Sequence, residues 1–189
     1  MGSVHSFEHK ALAQLRARLG EAEEVNQDLI AFARGHWGAV ASIHRAVLAA
    51  ITARTLADLR NIVVHDWPAT LGIDSAALVI LDGKRGTLAN RKGTQPIDPA
   101  LVRTTLAGLA PVTMREVARG HPLFGDECSE IRCEALIRLD GCAGEASGLL
   151  LLGQHAPIGI EDSRGLDLLQ FLGAGLAAMI GRCPDPSSD

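Results

Sequence analysis

The chain has 189 residues, 47% hydrophobic and 21% charged, a balance that excludes wholesale disorder and allows one sizeable core with a helical appendage. The formal charge is −4 with both signs interspersed, and aromatics are 3% with no Tyr, which removes the electrostatic and stacking grounds for a nucleic-acid partner or an anionic membrane surface. No apolar run approaches the roughly 20 residues needed to cross a bilayer, and the amino terminus lacks the basic-then-apolar order of a secretion signal, so a cytoplasmic protein with no membrane partner is expected.

From Leu12 a 3-4 repeat runs through Leu15, Leu19, Ala22, Asn26, Leu29, Ala33, His36, Val40, Ile43, Val47 and Ala50. This heptad seam predicts an N-terminal helical arm over residues 1–53, made of a helix from about Glu8 to Arg34 and another from about Gly38 to Ala53. Asn26 falls at a core position where a buried amide fixes register and favours two strands, whereas His36, between Gly35 and Gly38, marks a break. The first helix is polar elsewhere (Glu21, Glu23, Glu24, Gln27, Asp28) and has one face to bury, which predicts a homodimer through these helices. An intramolecular hairpin whose seam is its own core is the alternative.

Thr55 and Asp58 have the spacing of a capping box, opening a helix through Leu59, Ile62, Val63 and Trp67 that Pro68 should bend or end. Ala76–Leu81 is a continuous apolar run closed by Asp82-Gly83, a central strand with a hairpin signal. Lys84 to Asp98 reads as an edge hairpin, and Pro99 to Ala110 as a helix with Asp98 as its cap. Pro111–Met114 could add a short strand before the pattern dissolves from Arg115 to Arg132, the kind of irregular segment that carries function.

Ala135–Leu139 and Gly148–Leu152 are two apolar runs around a Gly- and Ser-containing turn, hence an antiparallel hairpin. Arg138 and Asp140 give the first run one wet face at its end; the second is apolar throughout and must be covered on both faces. A loop over Pro157–Asp162 leads to a closing helix, Ser163–Ile180, and the tail 183–189 should be disordered. The fold class is therefore α+β: an antiparallel sheet with helices on one face, the irregular layer on the other, and a long N-terminal coiled-coil segment in front. A pocket could lie between that layer and the sheet.

The Thr-Leu-Ala-Asp-Leu helix start, the strand Ser75–Asp82, the hairpin and the stretch Gly148–Gly153 followed by Ile160-Glu161-Asp162 and a Leu-rich helix together resemble a GAF domain, over residues 54–182. With the Phe7–Leu15 opening and the helical lead, the chain is similar to the DUF484 family of bacterial proteins. That resemblance implies a GAF-like sensor or scaffold with a helical dimerisation arm, and carries over no catalytic residue.

The expected function is a non-enzymatic, dimeric regulatory module that senses a small ligand or contacts a protein. Candidate binding residues are Arg115, His121, Cys128, Arg132 and Glu134, in or beside the irregular layer. Arg115 and Arg132 could hold an anion bidentately and His121 could add a switchable charge. No cofactor is predicted, only an unidentified small molecule; Cys128, Cys133, Cys142 and Cys183 form no C-x-x-C pair, so no metal site is predicted either. Two alternatives remain: a thiol enzyme, since Gly125–Ile131 faintly resembles the cysteine segment of GAF-type free methionine sulfoxide reductases, and a ligand-free scaffold with Leu123 and Phe124 filling the pocket.

Overall fold

The computed structural model describes residues 38–142, 147–156 and 163–183. The chain divides into two units, Met1–Ala41 and Ser42–Asp189, and the second carries the fold. The predicted seam up to His36, most of the hairpin turn, the loop Pro157–Asp162 and residues 184–189 of the tail lie outside the described residues.

Residues 38–51 form helix α1. Helix α2, Leu56–Asn61, begins with the predicted capping box: the Asp58 N–H donates to the Thr55 hydroxyl and the Thr55 N–H to the Asp58 carboxylate, both at 3.1 Å. Pro68, expected to bend or end this helix, is instead carried inside it. A π turn over Ile62–Asp66 precedes α3, Trp67–Leu71, and Pro68 falls in the first turn of α3, where a missing N–H does no harm. The helix ends at Gly72, whose φ of 68° suits glycine. Leu59, Val63 and Trp67 are all fully buried, and the Trp67 indole N–H donates to the Ala46 carbonyl of α1 at 3.0 Å.

Six strands follow: β1 (Ser75–Asp82), β2 (Arg85–Asn90), β3 (Gly93–Pro96), β4 (Val112–Glu116), β5 (Cys133–Leu139) and β6 (Ser147–Gln154). They form one sheet in the order β3-β2-β1-β6-β5-β4, with every neighbouring pair antiparallel. Helix α4, Pro99–Ala107, is capped as expected by Asp98, whose carboxylate accepts from the Ala100 N–H at 2.9 Å. A 3-10 segment, Pro122–Ser129, lies between β4 and β5, and α5, Ser163–Ile180, closes the domain.

The central strands β1 and β6 are covered on both faces because their side chains alternate between two cores. Leu78, Ile80, Leu150 and Leu152 pack with Ile137 against α1, the α2–α3 helix and α5, through Ala46, Leu59, Trp67, Leu172 and Leu176. Ala77, Val79, Leu149 and Leu151 pack with Leu136 under Val102 of α4 and under Leu123, Phe124, Cys128 and Ile131. Each fully buried leucine contributes about 1.5–3 kcal/mol, so neither cover can be lost cheaply. On β5 the wet face is confined to the end of the strand: Arg138 is half-buried and Asp140 exposed.

The seam has a different outcome in α1. Ile43 and Ala50, expected between two chains, are 5% and 1% exposed in the core of their own domain, with Val47 packed beside them. Burial against the sheet accounts for their spacing. Among the described residues no helix is long and apolar enough to cross a membrane.

Candidate functional site

The irregular segment between β4 and β5 is closed at its base by main-chain hydrogen bonds. Val117 N–H donates to the Arg132 carbonyl at 2.9 Å, Gly120 N–H to Cys128 at 2.8 Å, and Arg132 N–H to Gln154 of β6 at 2.8 Å. This leaves the 3-10 segment lying on the sheet as a lid of fixed length.

Glu134 organises one end of it. The β4–β5 register sets Arg115 opposite Glu134, and the buried carboxylate accepts from Arg115 Nε at 2.8 Å and Nη2 at 2.6 Å. Its other oxygen accepts the His121 N–H at 2.6 Å. The Glu134 side chain is wholly shielded and Arg115 half exposed, so only the cation can reach water. His121 Nδ1 in turn accepts the Leu123 N–H at 3.3 Å, starting the 3-10 segment. Burial holds the His121 imidazole below its usual pKa; Glu134 opposes this and Arg115 reinforces it.

Of the five candidates, Arg115, His121 and Glu134 thus come together in one hydrogen-bonded tie. Cys128 lies elsewhere in the layer, 4% exposed, with its sulfur accepting from Arg119 Nε and Nη2 at 3.4 and 3.3 Å. Arg132 stands apart from both: its guanidinium donates to the carbonyls of Ser129 and Ile131 and ends the 3-10 segment. Sequence reasoning missed Arg119, Asn90 and Glu127. Buried Asn90 donates to the Leu123 carbonyl at 3.3 Å, and the Glu127 carboxylate accepts from Ser75 at 2.5 Å and Arg91 at 2.8 Å. These pairs are 33 to 52 residues apart, beyond any local sequence signal.

The space expected between this layer and the sheet is filled by the chain itself. Ile131 is fully buried, with Phe124 2% and Leu123 5% exposed. At Gly153 of β6 an added methyl would meet Ile131 Cδ1 at 2.5 Å and the Phe124 ring at 3.1 Å, which is why the strand carries glycine there.

The sequence matches the family described as protein of unknown function, DUF484, over residues 1–185. The chain belongs to the DUF484 family. Its fold is that of GAF domains. The DUF484 chain superposes on the GAF domain of a putative sensor histidine kinase from Pseudomonas syringae pv. tomato with a TM-score of 0.51 at 19% identity, covering 82% of this chain and 92% of that one. A GAF domain of a two-component sensor histidine kinase from Bacillus halodurans gives 0.51 at 16% identity, over 69% and 96%. The far-red absorbing dark state of JSC1_58120g3 with bound biliverdin IXa gives 0.53 at 11%, over 75% and 98%. At these identities the likeness is one of fold. The sequence matches no curated protein.

Proposed function

We propose that the DUF484 chain is a non-enzymatic, dimeric regulatory module of GAF type that acts through protein contacts, with the layer over its sheet closed by its own side chains. The observation that carries this reading is the packing of Phe124 and Ile131 onto Gly153, which occupies the space a ligand between layer and sheet would need. The candidate side chains support it as well. Glu134, Arg115 and His121 are spent tying the segment down, and the Cys128 thiol is buried against Arg119, away from any substrate in solvent. The sensor-kinase GAF domains that share the fold favour a regulatory role over a catalytic one.

The dimer reading rests on what α1 leaves outside. His44, Leu48 and Ile51 keep 3-4 spacing on its outer side, with Leu48 62% and Ile51 55% exposed. The His44 ring meets Phe171 of α5 edge-on at 6.3 Å, and Phe171 is itself 51% exposed. This apolar strip has the 3-4 spacing of Leu12–Leu29, shifted one position from that repeat, and suits a second copy of the chain. Native mass spectrometry tests it: the expected result is a dimer that Leu48→Asp with Ile51→Asp converts to monomer. A wild-type monomer would overturn the dimer.

A further inference from the structure

The helix-bearing face of the sheet has a second feature, at the wing formed by β2 and β3. There a groove of about 750 Å³ opens between the wing, the start of α2 and the end of α5. The antiparallel register places Ile80, Thr87 and Pro96 in one cross-strand row, and all three line the groove. With Leu56 and Ile180 they make the floor of a groove in which polar and apolar surface are about equal. The volume falls in the range of small-molecule sites, about 300–1,000 Å³.

The rim is basic. Arg60 of α2 and Lys84 and Arg85 of the β1–β2 turn line the groove, against a single carboxylate, Asp82. The chain as a whole carries −4, so this end runs against the overall charge. Four cations elsewhere are ion-paired: Arg91 with Glu127, Lys92 with Asp126, Arg115 with Glu134 and Arg138 with Asp140. The side chains of Lys84 and Arg85, by contrast, have no hydrogen bond or ion pair among the described residues. Cations above a low-dielectric concave floor focus a field that draws anions in. Arg85 supplies a planar, bidentate donor for an acidic group.

We propose that this groove binds an amphipathic anion: a small molecule whose carboxylate, phosphate or sulfonate is held by Lys84 and Arg85 while a flat apolar body lies along the row of Ile80, Thr87 and Pro96. The site is on the opposite face of the sheet from the closed layer, and so leaves that closure intact. Its readout is probe binding rather than subunit mass, so it stands or falls independently of the dimer.

The test is fluorescence titration of the full chain with 8-anilinonaphthalene-1-sulfonate, which joins a flat apolar body to one anionic group. One site per chain is expected. The double substitution Lys84→Glu with Arg85→Glu weakens it about tenfold, because it removes two exposed cations and adds two repelling charges. The same charge change at Lys92→Glu, outside the groove, leaves binding within about twofold. Thr94→Trp, at an exposed position of β3 that lines the groove, blocks the site without touching the core. N-phenyl-1-naphthylamine, which lacks the sulfonate, binds at least about tenfold more weakly than the sulfonate. Equal binding by the double variant and the wild type, or equal binding of the two dyes, would overturn the proposal, as would full binding by Thr94→Trp.

Discussion

Phe124→Ala asks whether the layer over the sheet is part of the core or a lid that opens in solution. Phe124 is 2% exposed, with Leu123 and Ile131 in the same core cluster and its ring close over Gly153. Removing such a ring costs about 3–5 kcal/mol, the lost transfer energy plus the cavity left behind. For a chain of this size each kcal/mol moves the melting midpoint by about 2–4 °C, so a fall of about 6–20 °C is expected. Urea unfolding at constant m-value gives the free energy directly. Leu101→Ala, at a 58% exposed position on α4, is the control and should change stability by less than about 0.5 kcal/mol. Benzene at ten times its dissociation constant would refill the cavity and restore about 1.4 kcal/mol. A loss below about 1 kcal/mol would mean that Phe124 is not held in the native ensemble. The layer would then open freely, and the closure on which the protein-contact reading depends would be refuted.

Two further outcomes concern the tie at Glu134. Arg115→Ala strands a shielded carboxylate with only the His121 N–H, and should cost about 2–4 kcal/mol, whereas Arg115→Lys keeps a cation within reach of that carboxylate and should cost about 1 kcal/mol. Denaturant midpoints that reverse this order would show that the carboxylate is not the dependent partner. His121 gives a pH dependence: its native pKa lies below the usual value of about 6.5, so as pH falls through that value the unfolded chain takes up a proton before the folded one does. Stability therefore declines from about pH 6.5 downward until the native imidazole also protonates, and His121→Asn should flatten that decline. The check is urea midpoints between pH 7.5 and about 5.5; an unchanged slope in the variant would assign the proton to another group.

The central sheet was legible because its signals are local. Leu149–Leu152 is apolar at consecutive positions, which only a doubly covered strand requires, and Thr55–Asp58 and Asp98-Pro99 mark helix starts within four residues. The course of the chain through Pro68 was not legible, because it depends on a π turn upstream that no residue type announces. The heptad from Ile43 to Ala50 was visible but its partner was not, since spacing says that a face is buried and leaves open whether sheet or second chain buries it. The candidate site divides along the same line. Arg115 and Glu134 could be named as charged residues near an irregular segment, but their pairing needed the β4–β5 register. The basic groove draws on residues 56–60, 80–87, 94–99 and 180–183, four stretches with nothing in common until the sheet brings them together.

The Trp67 hydrogen bond has a mechanical consequence for α1. The indole N–H is buried and its acceptor, the Ala46 carbonyl, lies in the middle of the helix. Sliding α1 by one turn, about 5.4 Å, would break this bond and leave a donor unpaired in an apolar interior, at a cost of roughly 1–3 kcal/mol. Tilting the helix about Ala46 would keep this bond but lift Ile43 or Ala50 from the core. The bond therefore fixes the axial position of α1 against Trp67, and with it which residues of α1 reach the core.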